Sequence, residues 1–511
     1  MFKVVYSMYK KYTDSLSGRN LRMNEIQKKP PYAMIAILFV GAFIAFLNNT
    51  LLNVALPTIM VEFDVKPSMV QWLTTGYMLV NGILIPASAF FVQRFTNRKL
   101  FITAMVLFTL GTLLAVIAPE FWVLILARMI QAAGSAMLMP LLMNVMLTAF
   151  PIERRGAAMG MFGLVMISAP AIGPTLSGFI IEHYDWRALF EFVLPLAIIV
   201  LLLAIFKFRN ITSNSKVKLD VFSLVLSSIG FGALLYGFSS ASDKGWDAPI
   251  VYGTIIIGVL SLIWFVLRQL KLEEPMLDVR IYKYPMFALS SVISIFVSAA
   301  MFSGMILTPL YVQTIRGISP LHSGLLMLPG ALAMALMSPI TGKLFDKFGA
   351  RILAVIGLII TSIGTYLMSN LGMDSDYYYI MAVYTIRMFG MSMVMMPIMT
   401  NGLNQLPMNL NPHGTATNST LQQVSGAIGS AIFITIMNSK MESTAKVLAA
   451  DAAAAGNVPT ASDAFAQFQA QIGMQAMLEG INYTFFIATV VTVVALILSL
   501  FVKRTVVTKK S

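Results

Sequence analysis

Long apolar runs, separated by short polar segments, follow one another along almost all of the 511 residues of this chain. The runs are continuous, whereas the strands of a transmembrane β-barrel alternate apolar and polar positions over about ten residues. An α-helix needs about 20 mainly apolar residues to cross the hydrocarbon core of a bilayer. The pattern therefore predicts fourteen membrane-spanning helices, at 32–56, 69–91, 99–118, 121–147, 157–181, 187–206, 220–239, 249–267, 286–313, 322–342, 351–370, 377–402, 412–437 and 480–502.

The composition excludes a water-soluble globular protein. Hydrophobic residues make up 58% of the chain and charged residues 11%, with a mean hydropathy of +0.80, whereas soluble domains are about 45–50% apolar and about 25% charged. Cysteine is absent, which excludes disulfides, thiolate metal sites and thiol redox chemistry. His183, His322 and His413 are scattered without metal-ligand spacing, and no nucleotide-binding loop is present. We therefore expect a polytopic α-helical membrane protein that needs no cofactor, and neither an enzyme nor an ATP-driven pump.

Basic residues are distributed unevenly between the polar segments. With the amino terminus placed in the cytoplasm, 27 of the 35 Lys and Arg residues fall on inner segments, six on outer segments and two inside spans. This asymmetry predicts a multi-pass protein of the cell membrane with both termini cytoplasmic. The net charge of +13 then reflects orientation and not binding to nucleic acid. Residues 1–31 hold seven basic residues and no apolar stretch, so we expect a cytoplasmic tail and not a signal peptide.

An internal repeat divides the chain into two halves. Residues 89–98 and 342–351 are similar in sequence, are separated by 253 positions, and both lie in predicted cytoplasmic loops. The repeat predicts two six-helix bundles, at 32–206 and 286–502, with two additional helices inserted at 207–285 and a cytoplasmic tail at 503–511. Residues 438–479 form an outer segment rich in Ala and Gln, which predicts a helical hairpin broken at Gly456 and Pro459. It could serve as a gate or lid, or be a tolerated surface loop.

The second copy of the repeated loop suggests a clasp between helices. Its glycines allow two helices to approach, and Asp346 can pair with an arginine or accept from the first amides of a neighbouring helix. In the first copy Ala89, Gln93 and Thr96 replace the Gly, Asp and Gly of the second, which predicts a weaker clasp. The candidate gating residues of the two loops are Arg94, Arg98, Asp346, Lys347 and Arg351.

Further motifs occur in order on successive spans. Residues 47–57 resemble L-D-x-T-[IV]-V-N-V-A-L-P and 71–77 resemble W-x-x-x-[AG]-Y, while 126–134 resemble R-x-x-Q-G-x-G, 169–178 resemble G-P-x-x-G-G and 185–187 read D-W-R. With the G-x-x-x-D-[RK]-x-G-x-R loop at 342–351, the chain resembles the fourteen-span drug:proton antiporters of the EmrB/QacA type in the major facilitator superfamily. The resemblance implies an all-α polytopic fold and a monomer among membrane lipids that exports lipophilic or amphipathic small molecules by alternating access, in exchange for protons.

The chain departs from that pattern where the resemblance implies a proton carrier. Asn48 stands in place of the family's aspartate, and an amide cannot titrate. Glu191, about one turn into span six, is the alternative carrier, although it could equally be an exposed rim residue. Arg128 and Arg387 lie inside spans, where a charge costs about 2.5–3.5 kcal/mol, so each should face the bundle or a wet cavity. Arg128 either influences a protonation site or bonds helix carbonyls, and Arg387 is its rough counterpart.

The resemblance also suggests a hinge and a substrate cavity. Gly173 and Pro174 would form a hinge and seal that favours antiport over leak, or else an ordinary kink. The cavity should be lined from spans one, four, nine and twelve, with span thirteen, and Trp72 and Tyr77 of span two are further candidates for substrate binding. The candidate residues are Asn48, Asn49, Asn53, Trp72, Tyr77, Gln131, Met301, Phe302, Met305, Met388, Met391, Met395, Asn401, Asn418 and Gln422.

The side chains of this cavity indicate the class of substrate. Thioethers and aromatic rings suit varied lipophilic ligands, and the chain holds 37 methionines. Few acidic groups lie in the spans, which disfavours strict selection of polycations and favours neutral, amphipathic or anionic compounds. The alternative function is export of a physiological amphiphile, such as a lipid, fatty acid or signalling metabolite, with weak or atypical proton coupling.

Overall fold

The computed structural model describes residues 31–65, 67–70, 72–211, 220–454 and 462–503, and the regular elements of these residues are helices. Apart from Pro31 and Lys503, the two predicted cytoplasmic tails lie outside the described residues. Fourteen principal helices follow in chain order: α1 (Tyr32–Glu62), α2 (Trp72–Arg94), α3 (Asn97–Val116), α4 (Phe121–Ala149), α5 (Arg155–His183), α6 (Arg187–Lys207), α7 (Val221–Lys244), α8 (Pro249–Lys271), α9 (Pro285–Leu310), α10 (Pro320–Phe348), α11 (Ala350–Met368), α12 (Tyr377–Ser392 with Met395–Asn404), α13 (Asn411–Ala454) and α14 (Ser462–Ser499).

Each of these helices overlaps the predicted span of the same number. Twelve are long and apolar enough to cross a membrane, and α2 makes a thirteenth if its two sections, bent by 56° between Ile85 and Ala87, count as one span. The remaining helix, α5, has 29 residues and covers the fifth predicted span. The all-helical fold is confirmed. The number of fourteen membrane spans stays a prediction, and the observed helices are compatible with it.

Helix ends explain how the two copies of the repeated loop make the same turn with different residues. Gly349 ends α10 and precedes α11 with φ +81°, a backbone conformation that side chains disfavour and glycine allows. At the equivalent position of the first copy, Thr96 has φ −65° and accepts a hydrogen bond from the Lys99 N–H through its hydroxyl. Thr96 therefore acts as an ordinary N-cap of α3, and the first loop needs no glycine there.

The helices form two bundles with two seams between them. Helices α1–α6 enclose one apolar core, which also includes Phe287 of α9 and Met396 of α12, and α9–α14 enclose another. Across the molecule α5 packs on α10, and α2 packs on α13. The inserted helices α7 and α8 pack on each other, and α7 lies against both α2 and α13. We call the end of the bundle with the α2–α3, α4–α5 and α10–α11 loops the inner end, following the predicted orientation, and the opposite end the outer end.

Two helices extend well past the membrane on the outer side. Helix α13 has 44 residues, which corresponds to about 66 Å, roughly twice the thickness of the hydrocarbon core. Its residues up to Ala454 and those of α14 from Ser462 onward therefore form the helical arms of the outer segment. The predicted break at Gly456 and Pro459 lies outside the described residues.

Candidate transport site

A cavity of about 50 Å³ lies between the two bundles. It is lined by Met139 of α4, Phe162 and Met166 of α5, Met301 of α9, Met334 and Ser338 of α10, Ser392, Met395 and Met396 of α12, and Gln422 of α13. Six of these ten side chains are methionines. This volume is far below the roughly 300–1,000 Å³ of sites that hold a drug-sized ligand. Binding of such a ligand here therefore requires the bundles to move apart.

The sequence prediction included only part of this lining. Met301, Met395 and Gln422 were among the candidate residues and line the cavity. The contributions of α5 and α10, among them Met166 and Met334, were missed because the lining was assigned by analogy to other spans. Methionines beside the small residues of these two seam helices were the signal that could have indicated them.

Other candidate cavity residues lie elsewhere. Trp72 packs near Tyr236 of α7, with ring centroids 6.2 Å apart, and Phe302 packs against Gly426 of α13. The Asn401 amide donates to the Lys503 carbonyl at the inner end, 3.1 Å away. Met388, Met391 and Asn418 are buried, Met305 is half-buried, and the Asn53 side chain lies outside the described residues.

Arg128 is the centre of a polar network inside the first bundle. The side chain is 1% exposed. Its Nη1 donates to Gln131 Oε1 at 2.9 Å, and its Nη2 donates to Asn49 Oδ1 at 3.3 Å. Its Nε donates to the Leu73 carbonyl at 3.5 Å, and the guanidinium stacks 4.3 Å from the ring centre of Tyr77. These contacts join α1, α2 and α4 around one positive charge.

The partners of Arg128 are all neutral. Gln131 Oε1 also accepts from Asn48 Nδ2 at 3.1 Å, and Gln131 Nε2 donates to Thr112 Oγ1 of α3 at 2.9 Å. Carbonyl oxygens and a ring face stabilise a guanidinium without binding a proton. In the described part of the chain, the network therefore contains no carboxylate that could carry protons at Arg128.

Arg387 occupies a comparable buried place in the second bundle. Its Nε donates to Thr365 Oγ1 of α11 at 3.1 Å, and its Nη2 donates to the Ala300 carbonyl of α9. A side chain at Gly304 would collide with the guanidinium, so this glycine makes room for it. Arg387 thus bonds helix backbone and a hydroxyl within its own bundle.

Close glycine contacts reveal which residues of α4 and α12 correspond. Gly111 of α3 lies against Gln131, and Gly364, 253 positions later, lies against Arg387. Likewise Gly134 packs on Ala104, and Gly390 packs on Gly357. Arg387 is therefore the structural counterpart of Gln131, not of Arg128.

Tyr384 takes the position that corresponds to Arg128. Its ring lies against Gly330 of α10, which stands 253 positions after Tyr77. The stacked pair of Tyr77 and Arg128 in the first bundle is thus replaced by a pair of Gly330 and Tyr384 in the second. The two bundles share one backbone arrangement, but the buried arginine of α12, Arg387, lies one turn later than the position that corresponds to Arg128 of α4.

Glu191 and the D-W-R motif lie at the outer end. Glu191 is exposed on α6, apart from the Arg128 network. Glu62, at the end of α1, accepts hydrogen bonds from Trp186 Nε1 at 2.5 Å and from Arg187 Nη1 at 2.6 Å. Arg187 also bridges to Asp185 at 3.1 Å. The motif therefore fastens the start of α6 to the end of α1.

The motif at 169–178 joins α5 to α1. A side chain at Gly173 would collide with Thr50, and Ser177 Oγ donates to the Leu51 carbonyl at 2.6 Å. Helix α5 is continuous from Arg155 to His183. Gly173 therefore lies inside an unbroken helix, at its close contact with Thr50 of α1. The side chain of Pro174 lies outside the described residues.

Asp346 forms an inter-bundle clasp at the inner end. Its Oδ1 accepts from the Gly156 N–H at 2.9 Å and its Oδ2 accepts from the Ala157 N–H at 3.0 Å. A carboxylate of α10 thereby caps the positive amino-terminal end of α5 across the seam. Gly342 approaches the Gly156 carbonyl so closely that a side chain would collide with it, and Ser338 Oγ donates to the Gly160 carbonyl at 2.9 Å.

The first copy of the loop makes a related contact at the other seam. Gln93, 253 positions before Asp346, lies against His413 in the first turn of α13, with Nε2 atoms 2.8 Å apart. The Gln93 amide and the His413 imidazole are thus in contact at this seam, whereas in the second copy the Asp346 carboxylate contacts two backbone N–H groups.

Two of the other candidate gating residues, Arg98 and Lys347, make contacts within their own half. Arg98 Nη2 donates to the Ile205 carbonyl at 2.6 Å, which ties the start of α3 to the end of α6. Lys347 Nζ lies 5.2 Å from the centre of the Phe348 ring. Arg94 is the last residue of α2, and Arg351 is exposed near the start of α11.

A model of the Major Facilitator Superfamily matches residues 38–430. The chain belongs to this superfamily. It is 52% identical over 416 residues to the uncharacterized MFS-type transporter YhcA of Bacillus subtilis (strain 168), covering 81% of this chain and 78% of YhcA. It is 41% identical over 473 residues to the lincomycin resistance protein LmrB of the same organism, covering 92% and 95% of the two chains. These relatives identify a membrane transporter and not an enzyme.

A more distant relative and a solved structure support the same family and fold. The multidrug resistance protein B homolog of Mycobacterium tuberculosis (strain H37Rv) is 30% identical over 432 residues, covering 81% of this chain and 78% of that protein. The human organic anion transporter MFSD10 superposes with a TM-score of 0.62 at 12% identity, covering 91% and 100% of the chains. The resemblance to a drug-exporting branch of the superfamily agrees with the names of these bacterial relatives.

Proposed function

We propose that this transporter exports lipophilic small molecules, lincomycin among them, by alternating access coupled to proton entry. The observation that carries the proposal is the methionine-lined cavity between the bundles, bordered on its inner side by the contacts of Asp346 and Ser338 with α5. The relatives named for lincomycin and multidrug resistance supply the direction and the substrate class.

The chemistry of the cavity favours substrates with large apolar surfaces. Polarizable, unbranched methionine side chains adapt to ligands of different shape, and the lining contains no acidic side chain among the ten residues described there. A cationic drug would find no counter-charge in this lining. We therefore propose that cargo enters this lining in a neutral or weakly anionic form, and that a basic drug such as lincomycin enters it as the uncharged amine.

Alternation follows from the two seams. When the inner contacts of α5 with α10 break, the cavity widens toward the cytoplasm and admits a substrate. When they form again, the substrate can leave only on the outer side. Rocking of two bundles around a midplane site is the usual behaviour of repeated transporter folds.

A second candidate function is export of a physiological amphiphile with weak proton coupling. The neutral surroundings of Arg128 favour this alternative, because no titratable carboxylate joins the polar network there in the part of the chain described. In such a transporter the concentration gradient of the amphiphile would drive much of its own export.

Uptake into inverted membrane vesicles tests both functions. With an acidic vesicle lumen, we expect accumulation of radiolabelled lincomycin several-fold above vesicles without the protein, and loss of accumulation when the gradient is collapsed. Replacing Met301 and Met395 by Ala should raise the half-saturating concentration. The matched replacement of Met373 and Met474, which are exposed, should leave it unchanged. Accumulation that ignores the pH gradient would favour the second function, and no accumulation of any lipophilic compound would refute the first.

A further inference from the structure

His413 lies where three parts of the molecule meet. It is 7% exposed in the first turn of α13. Its Nε2 faces the Gln93 amide of α2, and its Nδ1 accepts a hydrogen bond from the backbone N–H of Asp278 at 3.0 Å. Asp278 belongs to the segment that leads from α8 to α9. We call His413, Gln93 and Asp278 the His413 junction.

The junction accepts only the neutral imidazole. A backbone N–H can only donate, so Nδ1 must offer its lone pair and the ring proton must be on Nε2. The Gln93 side chain can accept a hydrogen bond from this Nε2–H, because a half-turn of the amide group places its oxygen where its nitrogen is drawn. An imidazolium carries hydrogen on both nitrogens. Protonation of His413 would therefore set Nδ1–H against the N–H of Asp278 and break this contact.

The inserted helices hold the Asp278 segment in place. The Leu277 N–H donates to Gln269 Oε1 of α8 at 3.2 Å, and Gln269 Nε2 donates to Ser223 Oγ of α7 at 2.6 Å. Leu277 is buried in an apolar cluster with Phe90 of α2 and Ala416 of α13. The N–H that faces His413 is thus fixed by α7 and α8, and the ring has to adjust when it is protonated.

Charged groups near the junction favour a rotated imidazolium. The Asp278 carboxylate accepts from the Arg280 N–H at 3.0 Å and lies 4.0 Å from Arg280 Nε. On α2, Arg94 follows Gln93, and the amide of Gln93 is neutral. Glu273 and Glu274 of the same segment are exposed. Asp278, whose own backbone N–H contacts the ring, is therefore the acidic group placed to attract a protonated ring. Turning toward that carboxylate would separate Nδ1 from the backbone N–H and Nε2 from Gln93, which loosens α2 from α13.

We propose that His413 is a proton-binding group that links the opening of the inner end to pH. The neutral ring stabilises the closed seam between α2 and α13, and the protonated ring favours the open seam. By linkage, a state that binds the proton more readily gains population as the pH falls. Its place in a transport cycle rests on the proposed function, but the pH-dependent opening can be measured without any substrate.

The test uses the full-length protein, which contains no cysteine and only three histidines. His183 and His322 are replaced by Gln, so that His413 is the remaining histidine. Ala416→Cys, fully buried at the seam, reports opening, and Ala450→Cys, exposed on the outer arm of α13, reports the intrinsic reactivity of a thiol at each pH. The two variants are labelled in detergent with a maleimide from about pH 8 to about pH 5, a range that brackets ordinary histidine titration.

We expect the ratio of labelling rates, Ala416→Cys over Ala450→Cys, to rise at least about threefold as the pH falls. With His413→Gln, which keeps a neutral hydrogen-bonding side chain, the ratio should be constant. If that variant does not purify as a monodisperse protein, His413→Asn replaces it. A flat ratio with His413 present, or an unchanged rise without it, would overturn the proposal. Proton-driven export together with a flat ratio would refute the junction alone, and a rising ratio without proton-driven export would refute only the coupling in the proposed function.

Discussion

The carboxylate of Asp346 in the second bundle caps the helix that begins beside Gly156 in the first, with Oδ1 2.9 Å from the Gly156 nitrogen. Because α5 and α10 belong to different bundles, the opening of the inner end in the proposed transport cycle would break this cap. Its strength is therefore a bias toward the closed inner end, and a change to Asp346 should move the balance between the two states more than it moves folding.

Replacing Asp346 by Ala should weaken the inner seam. Loss of a helix cap typically costs about 0.5–2 kcal/mol, which corresponds to a shift of the open–closed equilibrium of roughly twofold to thirtyfold. We expect slower lincomycin uptake into inverted vesicles and faster maleimide labelling of Ser338→Cys on α10. Asp451→Ala, on the exposed outer arm of α13, is the control and should behave as wild type. Equal labelling rates in the two Asp variants would contradict the clasp.

A methyl group at Gly156 should also hold the seam open. A Cβ there would collide with the Asp346 carboxylate and the Gly342 carbonyl, whereas a Cβ on Gly178 of the same helix meets no atom within 4 Å. We therefore expect Gly156→Ala to reduce export at least about tenfold and Gly178→Ala to leave it unchanged. Both changes add one methyl to α5, so helix propensity is matched. Transport rates and Ser338→Cys labelling measure the difference, and equal activities would show that the contact is dispensable.

Arg128→Ala should stop export without unfolding the protein. The guanidinium is surrounded by neutral groups that can bond one another once it is gone, and removal of a buried charge relieves its desolvation cost. We expect at least a tenfold loss of transport with a melting temperature within a few degrees of wild type. Arg128→Lys should be nearly as impaired, because an ammonium cannot reproduce the planar contacts to Gln131 and Asn49.

The control for Arg128 is Arg209→Ala, which removes an exposed charge at the inner end. Normal export by Arg128→Ala would limit that residue to a structural role. A melting temperature that falls together with transport would have the same meaning, because the loss of activity would then follow from the loss of the fold.

The apolar pattern predicted the helices well because burial in lipid demands long, uninterrupted helical runs. The repeated loop indicated the clasp at Asp346, because a carboxylate at a helix end can accept hydrogen bonds from the first amides of a neighbouring helix. The pattern did not indicate that Gln131 corresponds to Arg387. That correspondence depends on a three-residue change in offset, from 253 between α3 and α11 to 256 between α4 and α12, which only the glycine contacts reveal.

The cavity and the His413 junction were harder to predict for different reasons. Methionines are abundant along the chain, so their number alone does not distinguish Met166 at the seam from a lipid-facing residue. His413 looked isolated because its partners, Gln93 and Asp278, are distant in sequence and one of them contributes only a backbone N–H. Contacts of this kind leave no residue pattern.

Asn48→Asp should introduce pH dependence at the Arg128 network. Asn48 Nδ2 donates to Gln131 Oε1, so a carboxylate there would turn toward the guanidinium of Arg128 and form an ion pair at neutral pH. The stability gained from this pair would be present at high pH and lost as the carboxylate is protonated on acidification. We expect the melting temperature of the variant, relative to wild type, to fall between about pH 7 and about pH 4, and the export rate to gain a new dependence on pH. Asn438→Asp, at an exposed position on the outer part of α13, provides the matched control, and an identical pH profile for both variants would place residue 48 away from the charge of Arg128.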